Sequence, residues 1–154
     1  MKIVLQILIV LSLLGCSNTI IENKNLPSVI LDVQQDKYSL ILKHHFYKNF
    51  NTNNENLSKF IVKTNLSFDT SNSLSNNGND SLNIIKGTVD FKIFNKLDTK
   101  IIKSGTISSS IITGSVSSLY SVNENNNFTK ERISIYLASK LYRKILLNLK
   151  YNEN

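Results

Sequence analysis

Four segments of this chain alternate apolar with polar residues, and a period of two is typical of strands that bury one face. They cover residues 29–33, 60–68, 86–93 and 100–111. The third segment shows the pattern most clearly, since Val89, Phe91 and Ile93 alternate with Asp90 and Lys92. The sequence therefore predicts four half-buried strands.

Two other segments repeat their apolar residues at the spacing of an α-helix. Within residues 36–50, an apolar side chain recurs every fourth position, at Tyr38, Leu42, Phe46 and Phe50. Asp36 is a suitable N-cap for this helix. A second helix is expected to begin at Thr129, also a suitable cap, with Glu131 in its first turn. Its predicted apolar face consists of Ile133, Leu137, Ala138, Leu141, Ile145 and Leu149.

Polar segments rich in Ser and Asn separate these elements. Residues 95–98 are expected to reverse the chain between the third and fourth strands. Residues 70–83 predict a long loop around Gly78, which is either a contact loop or simply a flexible one. Residues 113–127 predict another loop, which contains Tyr120.

The order of elements is strand, helix, three strands and helix, which predicts an α+β fold. We expect a two-layer sandwich in which a small four-stranded, mostly antiparallel sheet carries both helices on one face. The other face of the sheet would then be uncovered. Lys86 and Lys92 should lie on it, because they alternate with Val89 and Phe91.

The N-terminal segment has the features of a cleaved signal. Lys2 precedes an apolar run over residues 3–14, which is shorter than the roughly 20 residues that span a bilayer. The run ends in Leu13-Leu14-Gly15-Cys16, which resembles the lipobox read by lipoprotein signal peptidase. That resemblance implies cleavage before Cys16 and a lipid on this cysteine.

The lipobox divides the chain into three parts. Residues 1–15 are the predicted signal peptide, residues 16–27 the lipidated N-terminus and tether, and residues 28–150 a single domain. Ser17 follows the cysteine, whereas an Asp at this position commonly marks inner-membrane retention in enteric bacteria. We therefore expect anchoring to the outer membrane, facing the periplasm.

The charge balance is basic, with 18 Lys and Arg against 11 Asp and Glu and a formal net charge of +7. Codon bias is one explanation of the many lysines, because Lys, Asn and Ile are jointly abundant and all have AT-rich codons. A binding role explains the basic charge equally well. A basic surface can bind anionic lipid, phosphorylated glycolipid or nucleic acid. An exported lipoprotein is not expected to meet nucleic acid. The last helix carries three basic residues on the side opposite its apolar face: Lys140, Arg143 and Lys144. They are either a solvated surface or part of a binding site.

Candidate catalytic groups are few. Cys16 is the only cysteine, and His44 and His45 are adjacent on one helix, pointing about 100° apart. No HExxH motif or Cys/His cluster is present. Asp90 and Asp98 have no local neighbours that indicate acid–base chemistry. We expect no enzyme activity, no metal and no cofactor.

The element order and several short motifs resemble the LPS-assembly lipoprotein family LptE, especially its alphaproteobacterial members. The motifs are GTVDFKI at 87–93, DTK at 98–100, KSGT at 103–106, SSLYS at 117–121 and LASKL at 137–141. The resemblance implies a plug and assembly partner of the LptD β-barrel that assists the insertion of lipopolysaccharide (LPS). The candidate contacts to LPS or the barrel are Lys86, Lys92, Lys140, Arg143 and Lys144.

Another class of interaction protein remains open. An auxiliary lipoprotein of a lipid-transport ABC system, or a pilotin of a secretion channel, would also be a small lipidated α/β protein. A lipid-anchored periplasmic hydrolase is a third class, for which the sequence provides no positive sign.

Overall fold

The computed structural model describes residues 29–49, 59–74, 81–97, 100–114 and 119–150. The elements follow the predicted order, which confirms the α+β class. They are β1 (Val29–Asp32), α1 (Lys37–Asn49), β2 (Phe60–Leu74), β3 (Ser81–Asn95), β4 (Ile101–Thr113) and α2 (Leu119–Lys150). The predicted signal peptide, Cys16 and the tether lie outside the described residues, as do Phe50, Gly78 and Asp98.

The strands form one sheet in the order β1-β2-β3-β4. β1 runs parallel to β2, and α1 lies in the crossover connection that a parallel pair requires. The pairs β2–β3 and β3–β4 are antiparallel. The sheet is therefore mostly antiparallel, as predicted, with β1 and β4 at its edges.

Both helices cover the same face of the sheet and share one hydrophobic core with it. In β3 the buried apolar residues alternate with exposed polar ones, as the sequence predicts; they are Ile85, Val89, Phe91 and Ile93. In α2 every residue of the predicted apolar face is buried. α1 contributes Leu42 and Phe46, which are 1% and 0% exposed.

Gly87 lies at a close approach between β3 and α2. A methyl group added to it would overlap Cγ2 of Ile133 and would lie 3.1 Å from both Cδ1 of Leu137 and Cε1 of Phe68. Side chains in a close-packed core can move only slightly to make room. The absence of a side chain at this position therefore allows the helix to pack against the sheet.

Asp36 caps α1, as predicted. Its Oδ1 accepts the backbone N–H groups of Tyr38 and Ser39, each at 3.0 Å. A helix leaves these first N–H groups without intrahelical partners, so the cap satisfies two of them. Burial raises the pKa of Asp36, but hydrogen bonds with Ser39 and Tyr38 lower it by more, which leaves the pKa below its ordinary value.

A helix side chain bonds to the backbone of each edge strand. In β1, the N–H of Leu31 donates to the hydroxyl oxygen of Tyr47 at 2.8 Å. In β4, the carbonyl oxygen of Ser108 accepts a hydrogen bond from Nζ of Lys140 at 2.9 Å. These backbone groups of an edge strand are otherwise left to solvent or to another chain.

The prediction of a loop at residues 70–83 is wrong for most of these residues. β2 continues to Leu74 and β3 already begins at Ser81, so only residues 75–80, which lie outside the described part of the chain, separate the two strands. Thr70 pairs with Ile85, and Asn72 pairs with Asn83. The ladder extends through polar residues because its hydrogen bonds join backbone groups, whatever the side chains.

The loop predicted at residues 113–127 is also wrong, because α2 begins at Leu119. Thr129, the predicted cap, is 3% exposed and lies within the helix. Asn has a weak helix propensity, so the Asn-rich composition favoured a loop. Tertiary contacts outweigh this preference in the folded chain.

Two of those contacts involve Asn side chains in the N-terminal half of α2. Nδ2 of Asn83 donates to Oδ1 of Asn126 at 3.2 Å, and the hydroxyl of Tyr38 donates to Oδ1 of Asn127 at 2.9 Å. These bonds join α2 to β3 and to α1. They stabilise a helical conformation that local composition does not favour.

Gly87→Ala should lower the free energy of unfolding by about 1–3 kcal/mol, because the added methyl overpacks the contact with α2. Gly114→Ala is the matched control, since nothing lies within 4 Å of its added methyl. The control should change stability by less than about 0.5 kcal/mol. Urea unfolding followed by far-UV circular dichroism measures both variants, and equal losses would contradict the close approach at Gly87.

Asp36→Ala should cost about 1 kcal/mol of stability at neutral pH, because it removes the helix cap. The folded-state pKa of Asp36 is lowered, so the stability that its charge adds is present above the unfolded pKa and is lost as the pH falls through the folded pKa. Asp36→Asn keeps a cap that does not titrate. Urea unfolding should show that any advantage of the wild type over Asp36→Asn shrinks as the pH falls below the ordinary pKa of an Asp side chain. A constant advantage over this pH range would contradict the prediction.

Candidate functional site

The face of the sheet opposite the helices is the candidate functional surface, and we call it the open face. The described helices lie on the other face, and the centre of the open face is polar. Its charged residues come from β1, β2 and β3: Asp32, Lys63, Asp69, Lys86, Asp90 and Lys92. Lys86 and Lys92 therefore lie where the sequence predicts. The carboxylates make this face mixed in charge.

Two lysines face each other directly across the central strands. Lys63 of β2 pairs in register with Lys92 of β3, and both side chains are exposed. Asp32 of β1 is the next residue in this row beside Lys63, and Ser104 of β4 follows beside Lys92. Like charges directly opposite each other in a sheet are destabilising. The Lys63–Lys92 pair is thus suited to a site that an anion occupies.

A shallow depression of about 690 Å³ lies over this pair. Besides the two lysines, its lining consists of Thr64, Asn65, Asp90, Phe91, Phe94, Ser104, Gly105 and Thr106. Nζ of Lys63 lies 5.6 Å from the centre of the Phe94 ring, within cation–π range. Oδ1 of Asp90 accepts a hydrogen bond from the Thr106 hydroxyl at 2.5 Å. The Asp90 carboxylate is therefore already hydrogen-bonded to β4.

Lys86 has a different environment from Lys92. It pairs in register with Asp69 of β2, so an opposite charge faces it across the strands. Opposite charges at such positions are stabilising. The sequence predicts both lysines on the open face, but strand register gives them different neighbours. Lys86 faces a carboxylate, whereas Lys92 faces another lysine.

The three basic residues predicted on the last helix do not join the open face. Nζ of Lys140 donates to the carbonyl of Ser108 at the β4 edge and lies 5.1 Å from the centre of the Tyr136 ring. Arg143 and Lys144 are exposed on α2. The predicted contacts are thus distributed over the open face, the sheet edge and the outer side of a helix.

Lys63 was not among the predicted site residues. Its position in an alternating strand was visible in the sequence, but the register that places it opposite Lys92 was not. Asp32 was missed for the same reason, since its neighbour across the parallel pair is Lys63. Strand register is the information that places Asp32, Lys63 and Lys92 in one row across the sheet.

The two histidines form no recognisable reactive site. The rings of His44 and His45 are 5.5 Å apart at an interplanar angle of 89°. Burial lowers the pKa of His45, and the positive charges of Lys48 and His44 add to this shift. Over the ranges that the structure describes, no group of three or more His, Cys, Asp or Glu is arranged to hold a metal.

Within the same described ranges, neither helix has an apolar stretch long enough to cross a bilayer.

No protein-family model matches the sequence, and no curated protein matches it. Solved structures are similar in fold. Rare lipoprotein B from Shewanella oneidensis is 10% identical, with a TM-score of 0.66 over 82% of this chain and 98% of that chain. A candidate lipoprotein from Caulobacter crescentus is 10% identical, with a TM-score of 0.63 over 80% of this chain and 91% of that one. A minor lipoprotein from Acinetobacter baumannii is 18% identical, with a TM-score of 0.59 and coverages of 78% and 90%. At these identities the likeness shows a shared fold.

Lys92→Gln should raise the free energy of unfolding by about 0.2–1 kcal/mol at low ionic strength, because it removes the like-charge pair and keeps Asp32 beside Lys63. Salt at about 1 M should abolish the gain by screening. Lys86→Gln is the matched control and should have the opposite sign, because it removes the charge that faces Asp69. Urea unfolding at both salt concentrations measures these effects. A loss of stability in both variants would contradict the like-charge account of Lys63 and Lys92.

Proposed function

We propose that this protein is an outer-membrane lipoprotein of the LPS transport machinery. It acts as plug and assembly partner of an LptD-type β-barrel, and it assists LPS insertion from the periplasmic side. The observation that carries the proposal is the one-sided sheet, whose polar open face bears the directly opposed Lys63 and Lys92. In this role Cys16 holds the lipid anchor, and the protein is not an enzyme.

The fold supports the proposal at a coarse level. Solved bacterial lipoproteins, including rare lipoprotein B from Shewanella oneidensis, have the same fold. The sequence adds the lipobox at Cys16 and the motifs that resemble the LptE family. These features favour a lipid-anchored domain of this family type over an unrelated α+β protein.

The open face offers a physical role in contact with LPS. Lys63 and Lys92 repel each other, so a bound phosphate relieves an unfavourable interaction that exists in the free protein. Lysine ammonium groups act as compact point charges toward phosphate. The surrounding Asn65, Ser104 and Thr106 are polar and suit a hydrated barrel interior. On this account the domain holds and orients an anionic group and performs no chemistry on it.

The membrane anchor would contribute by raising the local concentration of the domain beside its barrel. Multiple acyl chains hold a protein on a membrane far more firmly than one chain. The partner surface would then lie in residues 28–150. A Cys16→Ala protein should retain weak binding to its partner in solution and should lose its position at the outer membrane.

Affinity purification from detergent-solubilised outer membranes tests the proposal. The lipidated chain should recover a β-barrel of LptD type in stoichiometric amount. Substitution of both opposed lysines, Lys63→Glu with Lys92→Glu, should lower the LPS that co-purifies severalfold. The matched control is Lys43→Glu with Lys48→Glu, which makes the same change in charge on α1, on the side of the sheet away from the open face, and should leave the recovered LPS unchanged.

Other recovered partners would overturn the proposal in distinct ways. An inner-membrane ABC transporter or a secretin would assign the chain to the auxiliary lipoproteins or pilotins. If correctly localised protein recovers neither a β-barrel of LptD type nor one of these partners, a lipid-anchored hydrolase becomes the leading alternative. Comparison with Cys16→Ala separates a lost partner from a lost location.

A further inference from the structure

The exposed edge of β4 and the adjacent side of α2 form a second surface, away from the centre of the open face. We propose that this edge site binds an extended acidic segment of another polypeptide, which adds as a fifth strand beside β4. The proposal does not depend on which envelope machinery the protein serves. It rests on the regularity of the edge, the orientation of its backbone groups, the neighbouring groove and the charges on α2.

β4 is a long and regular edge strand of 13 residues. Its irregular pairing with β3 lies at Ile93/Phe94, opposite the beginning of β4. Beyond that point, residues 104–113 contain no charged residue and no proline. Natural sheets usually protect an exposed edge with charges, proline, bulges or a cover. The later part of β4 lacks the first three of these protections.

The contact between Lys140 and Ser108 shows which backbone groups point outward. The carbonyl of Ser108 accepts from Nζ of Lys140, so it faces away from β3. In an antiparallel ladder, both backbone groups of a residue point to the same side and successive residues alternate. The outward groups therefore belong to Thr106, Ser108, Ser110 and Ile112. The Lys140 ammonium occupies the place that an N–H donor of an added strand would take.

A groove of about 600 Å³ lies between this edge and α2. Its lining includes Ile111 of β4 with Ile135 and Tyr136 of α2. Ile135 and Tyr136 are 38% and 54% exposed. Alternate side chains of a strand point to the same face of a sheet. An added strand would thus place every second side chain toward this groove, where apolar residues fit.

The charges beside the groove favour an acidic occupant. Arg132 lines the groove, Lys140 contacts the edge, and Arg143 lies one turn further along α2. Glu131 forms an ion pair with Lys37. Among the residues whose side chains are described, none forms an ion pair with Arg132, Lys140 or Arg143. Complementary charge at an interface guides association and disfavours wrong partners.

The same charges argue against a second copy of this chain as the added strand. β4 contains no carboxylate, and its charged residue is Lys103. Pairing of two β4 edges would bring the cations of both α2 helices together without compensating acids. A different polypeptide that alternates apolar with Asp or Glu residues satisfies both the groove and the charges.

Site-specific photo-crosslinking of the full-length, lipidated chain in its native envelope tests the proposal. A photoreactive amino acid replaces Ser108, Ser110 or Ile112, one position at a time, because these side chains are exposed beside the edge and do not line the open-face depression. All three positions should crosslink to one segment of one protein that is rich in Asp and Glu. The crosslinked residue in that segment should shift by two for each step of two along β4, which is the register of a strand ladder.

Two controls make the result specific. The same photoreactive residue at Ser67, on the exposed middle of the open face, should not yield this two-residue register. Arg132→Glu with Arg143→Glu should lower the crosslink yield from Ser110 severalfold, whereas Arg132→Lys with Arg143→Lys should retain it. Circular dichroism verifies that each variant is folded. Crosslinks to lipid or to a second copy, crosslinks without the register, or no crosslink at all would overturn the proposal.

Discussion

The packing of α2 against β3 determines which face of the sheet is buried and which remains available for binding. At Gly87 the two elements approach so closely that a methyl group would meet Ile133 and Leu137. Since successive side chains of a strand point to opposite faces, this burial leaves Lys86 and Lys92 on the other side. A slip of one residue in register would turn these lysines into the core. The same contact therefore sets both the stability of the fold and the composition of its open face.

The two sheet edges differ in what they leave exposed. β1 has four residues, and the Tyr47 hydroxyl already accepts the N–H of Leu31 there. β4 has 13 residues, and Lys140 of α2 bonds to its backbone at Ser108. A short edge offers few backbone groups to another chain, whereas a long, regular edge offers many. The topology thus makes β4 the more accessible place for a protein contact.

Apolar periodicity predicts the fold correctly wherever a segment buries one face, as in β3 and in α2 from Ile133 onward. It fails at residues 70–74 and 119–128, where polar residues continue a strand and a helix. Part of the reason is non-local, because Asn127 bonds to Tyr38, 89 positions away, and Asn126 bonds to Asn83, 43 positions away. No pattern within a short window of sequence contains these contacts.

The open face was predictable only in part for a similar reason. Alternation places Lys92 on that face, but only strand register brings Lys63 opposite it and Asp32 beside them. This arrangement also separates two uses of positive charge. Lysines on the open face stand among carboxylates and polar side chains, which suits a small anionic group in a hydrated setting. The cations of α2 stand beside an apolar groove and a backbone edge, which suits an extended polypeptide. Because the two surfaces overlap only at Thr106, a lipid-borne anion and a protein strand would contact mostly different residues.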